Sequence, residues 1–245
     1  MDQEDYVEKE DPVWSKKSNT LSWSGASTGG YATIENWQTL HRQHLLLSLQ
    51  SPSSTITLLN ETTPGQWTPY LASTAELQPL LSLKMIAAVQ CSPPACSAQH
   101  AAFNITPFDP QSPLNPNRDP LNTTYLSKYT LDLDGNSFSG RYYRLLKSRS
   151  AVIKQTLFRE WHDRHLVPWV HYIPLSMAGS ELPEVMRFLA RDPRGGKLGE
   201  RIARQGRAWA NITLRKVDLR LAFLRLLLEY GRLMDDEREG LGYGG

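Results

Sequence analysis

The 245-residue chain is poor in cysteine, has no apolar run of 18 residues and carries almost no net charge of either sign. Two cysteines, Cys91 and Cys96, are too few for a disulfide-rich scaffold. With His100 nearby they also fall short of a closed four-ligand zinc site, so no metal is expected. Without a long apolar run, no transmembrane helix or secretory leader is expected, and no membrane contact from this chain itself. Gly-x-Ser-x-Gly, His-Glu-x-x-His and Walker A patterns are missing, which removes hydrolase, zinc-protease and ATPase readings. No RNP, zinc-knuckle or helix-turn-helix pattern accompanies the basic residues, so nucleic acid is not an expected partner.

What is present is an ordinary globular composition, 40% hydrophobic and 9% aromatic, enough for a real core. The formal charge of +2 hides an uneven distribution, with 17 Lys/Arg against 7 Asp/Glu between Arg141 and Arg220. That excess reads as solvated helix faces or as a positive field around a small anionic ligand. The acidic residues instead gather at 2–11, in a charged approach segment over 1–18. Cys91 and Cys96 flank Pro93-Pro94, a spacing that allows a short-loop disulfide, with two free thiols as the alternative. Asn-x-Ser/Thr sequons occur at Asn60, Asn104, Asn122 and Asn211.

Strand-like and helix-like segments alternate over 19–235, which argues for an α/β fold, a parallel sheet with helices on both faces. A strand over 20–24 ends in the glycine-rich turn Gly25–Gly30. A helix over 37–49 places Trp37, Leu40, His44 and Leu47 on one face. The Ser/Thr/Pro-rich stretch 51–79 reads as loop with a short helix near Leu77–Leu81, and 83–89 as a strand. A proline- and asparagine-rich excursion spans 104–124. Strands are expected at 129–134, 150–154 and 168–173, and helices at 139–147, 156–165 and 181–191. Closing helices run over 201–234, broken near 211–217, with Trp209, Leu219, Phe223 and Leu227 burying them. A flexible tail follows at 236–245. His171 reads as a hydrogen-bonded core residue and Trp161 as core.

The most pointed stretch is Tyr129–Lys154, YTLDLDGNSFSGRYYRLLKSRSAVIK. The alternation of Tyr129, Leu131 and Leu133 stops at Asp134-Gly135, a turn-forming dipeptide, and a helical run opens near Arg141. A strand passing through a glycine turn into a helix start leaves unpaired N–H groups facing an anion. Arg141 adds a fork of donors suited to phosphate oxygens. Open parallel sheets bind ligands at the carboxyl ends of their strands, and both glycine turns follow strands.

The wording of this stretch, with Phe158-Arg159-Glu160-Trp161 and Pro168-Trp169-Val170-His171-Tyr172-Ile173-Pro174, resembles the C-terminal half of glycosyltransferase family 90. That family includes fungal capsule-associated O-xylosyltransferases and Rumi-like protein O-glucosyltransferases. Trp14, Leu21–Gly25 and Thr28-Gly29-Gly30 extend the resemblance over roughly residues 12 to 235. It implies the C-terminal, donor-binding Rossmann-like domain of a two-domain GT-B glycosyltransferase. Its substrate would be a UDP-sugar, UDP-xylose or UDP-glucose, with transfer to a hydroxyl of a glycan or protein acceptor and no metal cofactor. Carried onto this chain, Asn136, Ser137, Phe138, Ser139, Gly140 and Arg141 would cradle the donor, with Arg141 on the diphosphate. Ser27 and Thr28 would line the pocket from the first turn, where an N-cap or turn role is the alternative. Glu160 would contact the sugar or ribose. Many relatives have Arg where this chain has Ser24, which would remove a cation from the first turn. The family's catalytic aspartate would lie upstream of the segment matched by Trp14-Ser15-Lys16-Lys17, so no catalytic residue is named here. The alternative is a truncated, non-catalytic remnant that binds a nucleotide sugar or a partner protein. The resemblance implies the lumen of the secretory pathway.

Overall fold

A computed structural model describes residues 6–51, 55–108, 115–237 and 240, with Leu121 and Asn122 described by backbone alone. In chain order the elements are β1 (Ser18–Ala26), α1 (His41–Gln50), β2 (Thr55–Thr63), β3 (Gln66–Ser73) and β4 (Leu81–Ala87). Then come α2 (Pro93–Ala102), β5 (Ser127–Leu133), α3 (Tyr142–Lys147), β6 (Ala151–Gln155) and β7 (Ile173–Pro174). Helices α4 (Leu182–Arg191), α5 (Pro193–Thr213) and α6 (Lys216–Met234) close the chain. Most of the expected 236–245 tail, and residues 109–114 of the Pro-rich excursion, lie outside the described residues.

Five strands form one parallel sheet in the order β4-β1-β5-β6-β7, a Rossmann-like α/β arrangement flanked by helices. Successive strand residues point to opposite faces. Leu21 and Trp23, Tyr129, Leu131 and Leu133, and Ala151 and Ile153 meet α1 and α4 in one apolar cluster. Val152 faces the other way, into a second cluster with Tyr142, Leu145 and Leu146 of α3. Helix α5 serves both, through Ile202 and Ala203 in the first and Ala210, with Leu214 at its C-terminal cap, in the second. It lies close because glycine leaves room: a Cβ at Gly199 would stand 2.8 Å from the Tyr129 ring.

Several expectations are corrected. The 51–79 stretch holds an antiparallel hairpin, β2–β3, whose Thr-rich first strand suits a pleated surface. Pro69 is tolerated because a two-stranded ribbon has open edges. The CSPPAC turn opens helix α2, with proline at its first positions, where a missing N–H costs nothing. A disulfide joins Cys91 to Cys96 across that opening, Cα atoms 5.4 Å apart. On α1 the buried residues are Arg42, Gln43, Leu45, Leu46 and Leu49; of the face assigned from Trp37, Leu40, His44 and Leu47, all but exposed His44 meet in a smaller apolar cluster with Ala32 and Ala95. The 156–165 segment is a turn instead of a helix, and 167–172 is a tight turn of which only Ile173–Pro174 continues as strand. Trp161 is therefore exposed, its Nε1 donating to the Tyr143 hydroxyl at 2.9 Å. His171 is half-buried, its Nδ1 accepting from the Val167 N–H. The break between α5 and α6 falls where expected, but Phe223 and Leu227 are exposed and bury nothing.

The acidic approach segment is also more than surface. Asp11 is buried and pairs with buried Lys17, whose Nζ also donates to the Tyr125 carbonyl and the Ser150 hydroxyl. Asp11 further accepts from the Tyr6 hydroxyl and the Arg149 N–H, at 2.8 and 2.6 Å. Burial holds the Lys17 ammonium below its ordinary pKa, against the upward pull of Asp11.

Candidate functional site

The two glycine turns touch. Gly29 N–H donates to Asn136 Oδ1 at 3.0 Å, joining the turn after β1 to the turn after β5. A Cβ on Gly135 would stand 3.2 Å from Thr28 Oγ1, which leaves the neighbour little room to give. Gly29 has φ +118°, and a Cβ there would stand 2.3 Å from His41, so glycine is required twice over.

What pins these turns is α1, a helix expected from the sequence but without this role. Its Arg42 donates Nε to the Asp134 carbonyl at 2.8 Å and Nη2 to the Leu133 carbonyl at 3.0 Å. Nη1 reaches the Ala26 carbonyl and Thr28 Oγ1, each at 2.7 Å. A buried guanidinium thus gathers the carboxyl ends of β1 and β5. Beside it His41, as the Nε2–H tautomer, donates to the same Asp134 carbonyl at 2.7 Å. Burial lowers the pKa of His41. Burial first, and then the neighbouring Arg141, pull the Arg42 pKa down to about 10.

Arg141 caps the six-residue helix α3 and approaches from the other side. Its guanidinium lies 5.5 Å from the Trp23 ring centroid and that of Arg42 at 5.6 Å, so two cations flank one indole. Arg141 Nη1 donates to the Ser24 carbonyl. Ser24 thus leaves the first turn without an arginine of its own, but Arg42 and Arg141 bring two cations to it. Burial lowers the Arg141 pKa, with Asp132 opposing the shift.

Around these residues is a cleft of about 790 Å³, floored by Ser22, Ser24, Ser82 and Lys84 of β1 and β4. Its walls are Arg118, Asp119, Thr123 and Thr124 on one side, and Phe138–Arg141 with Arg144 on the other. Among the described residues five cations line it, Arg42, Lys84, Arg118, Arg141 and Arg144, against the single carboxylate of Asp119. Asp119 is itself 3.0 Å from Lys84 Nζ. A smaller cavity of about 310 Å³ adjoins at the turn junction, lined by Gly29, Gly30, His41, Asn136 and Phe158.

The expected donor residues divide. Asn136, Ser137 and Phe138 are exposed; Asn136 lines the smaller cavity, Ser137 lines neither, and Phe138, Gly140 and Arg141 line the large cleft. Ser139 lines it too but directs its hydroxyl to buried Asp132. Asp132 in turn sits 3.1 Å from Lys154 Nζ, its registered neighbour on β6, and Lys154 stands 3.8 Å from the Tyr142 ring centroid. Thr28 is half-buried and bonds Arg42. Ser27 is a correction: it is fully buried, its hydroxyl exchanging hydrogen bonds with the backbone of Val89, so it builds the turn and does not line the pocket. Glu160 lines neither cavity; it stands 3.9 Å from Lys154 and 3.5 Å from His162 Nε2. His162, fully buried, has Asp163 3.2 Å from its other nitrogen, an arrangement possible only because this segment is a turn and not a helix.

The sequence pattern of glycosyl transferase family 90 matches residues 90–239. The chain belongs to this family. Among curated relatives, it is 31% identical over 104 residues to protein O-glucosyltransferase 3 of Rattus norvegicus, covering 42% of this chain and 20% of that protein. It is 32% identical over 117 residues to the O-glucosyltransferase rumi homolog of Aedes aegypti, covering 45% and 27%. The human protein O-glucosyltransferase 3 matches at 27% over 113 residues, 46% of this chain and 22% of that one. The chain thus spans about a fifth to a quarter of the length of the curated relatives it matches.

Proposed function

We propose that this chain is the donor-binding domain of a GT-B glycosyltransferase and holds a UDP-sugar, UDP-glucose or UDP-xylose, for transfer to a hydroxyl of a glycan or protein acceptor. The observation that carries the reading is the cleft at the carboxyl ends of β1 and β5, with five cations against one paired carboxylate. A diphosphate there would meet Arg141, of whose nitrogens Nη1 is committed to the Ser24 carbonyl. Departure of UDP builds charge on the leaving phosphate, and fixed cations in a partly dehydrated cleft stabilise it. The sugar would lie toward the Asn136–Phe138 mouth. The Cys91–Cys96 disulfide supports folding in an oxidising compartment such as the secretory lumen. No helix among the described residues is long and apolar enough to cross a membrane. A role in binding without transfer is the second reading, favoured by the cleft lining, whose one carboxylate is occupied by Lys84.

Calorimetry of the full chain with UDP, UMP and uridine tests the donor site. Affinity should fall in that order, because each phosphate removed takes charge-assisted contacts with it. Equal affinity for UDP and uridine would contradict the placement. Adding UDP-glucose or UDP-xylose with glycan and peptide acceptors, and following UDP release, then separates transfer from binding alone.

A further inference from the structure

A second cavity, of about 260 Å³, lies between the β2–β3 hairpin and α4, and none of its residues lines the cleft. Leu59, Val185 and Phe188 supply an apolar floor, Trp67 and Trp169 the walls, and Glu184 a polar rim. The indoles are 38% and 43% exposed and face each other across one groove. Both are held in place. Trp67 has the Arg194 guanidinium 5.6 Å from its ring centroid, and Arg194 is anchored to Glu61 and Asp192 at 2.6 and 2.8 Å. Trp169 occupies the left-handed region, φ +63°, with its N–H on the Tyr172 carbonyl at 2.7 Å. A bulky residue there is strained, and such strain gathers at functional positions. Glu184 ties hairpin to helix by accepting from the Leu59 N–H at 2.9 Å. Neither indole N–H has a hydrogen-bond partner among the described residues.

We propose that this groove is a carbohydrate subsite that takes one pyranose ring of a glycan by stacking it against Trp67 and Trp169. A pyranose is amphipathic in the way the groove is. Its C–H face suits the indole and leucine surfaces, and its equatorial hydroxyls suit the indole N–H donors, while Glu184 is held by Arg187 and Leu59 N–H and shapes the rim. The size selects a single ring, since the volume falls just below the ~300–1,000 Å³ of sites for larger ligands. Trp169 belongs to the turn preceding β7, whereas the donor turns follow their strands, so the bound sugar anchors a glycan and does not react. The subsite does not depend on the donor reading.

The test follows the tryptophan indole resonances of the 15N-labelled full chain during titration with xylotriose, cellotriose and mannotriose. Trp67 and Trp169 should shift saturably with at least one trisaccharide while the other indoles stay still. Trp67→Ala should weaken that binding about tenfold or more. Trp169→Gly should do the same without unfolding the chain, because glycine accepts φ +63° without strain. UDP affinity should be unchanged in both variants. The proposal is overturned if no trisaccharide moves the two resonances, or if binding survives both substitutions. It is equally overturned if the same shifts arise from protein concentration alone, which would mark self-association.

Discussion

The two faces of the central sheet are built from alternate residues of the same strands; both pack apolar clusters, but the buried Asp132–Lys154 pair sits on only one of them. Leu21, Trp23, Tyr129, Leu131, Leu133 and Ile153 meet α1 and α4 in a continuous apolar cluster. One residue along, Ser22, Ser24, Asp132 and Lys154 face the other way, and part of that face opens into the cationic cleft. The apolar face contributes most of the burial that stabilises the domain. The polar face holds charges in fixed positions: Lys154 balances Asp132, Asp132 holds Ser139, and the turn leading to Arg141 is kept in shape. Stability and site preorganisation therefore lie on opposite sides of one sheet and should be separable by mutation.

The largest effect is expected on the polar face. Lys154→Met leaves Asp132 buried and uncompensated, and should cost about 3–5 kcal/mol in denaturant unfolding. The double variant Lys154→Met/Asp132→Leu should recover most of that stability while still binding UDP poorly, because Ser139 has lost its anchor. Full recovery of both properties would break the division between the faces. On the apolar side, Ile153→Ala, at a buried position that does not line the cleft, should cost about 2–5 kcal/mol by cavity formation and leave UDP affinity nearly unchanged in folded protein. A matching loss of affinity would show that the two faces are not independent.

Acid provides a smaller test. Burial lowers the pKa of His41 below the unperturbed 6.5, so between the folded value and 6.5 the unfolded chain binds more protons. Stability should therefore fall as pH drops through that window. His171 is shifted the same way by burial and should add to the slope. His41→Asn, which keeps a donor for the Asp134 carbonyl, should flatten part of the loss in urea titrations at pH 7 and pH 5. An identical slope in the variant would remove His41 as a contributor.

The parallel sheet and the meeting of the glycine turns were legible because period-2 alternation and Asp134-Gly135 are local signals. Arg42 was not, since its role depends on α1 crossing beneath two turns more than 90 residues apart in sequence. The hairpin was missed because Ser, Thr and Pro read as loop, although Thr55-Ile56-Thr57 is a run of β-branched residues of the kind that favours a strand. Trp161 and His162 were misplaced by one wrong element: with 156–165 taken as a helix, Glu160 and Asp163 could not be seen to flank one imidazole. Exposed α6 shows the limit of composition: Leu219 packs on the second apolar cluster, but Leu221, Leu224, Leu226, Leu227 and Leu228 stay exposed among the described residues.

The central claim is that a diphosphate binds on the polar face against Arg141. Calorimetry with UDP on the wild-type chain, Arg141→Ala and the remote control Arg204→Ala tests it most directly. The account predicts that Arg141→Ala weakens binding by about 1.5–3 kcal/mol, with the unfolding curve little moved and Arg204→Ala indistinguishable from wild type. Unchanged UDP affinity in folded Arg141→Ala, or equal weakening by Arg204→Ala, would contradict it.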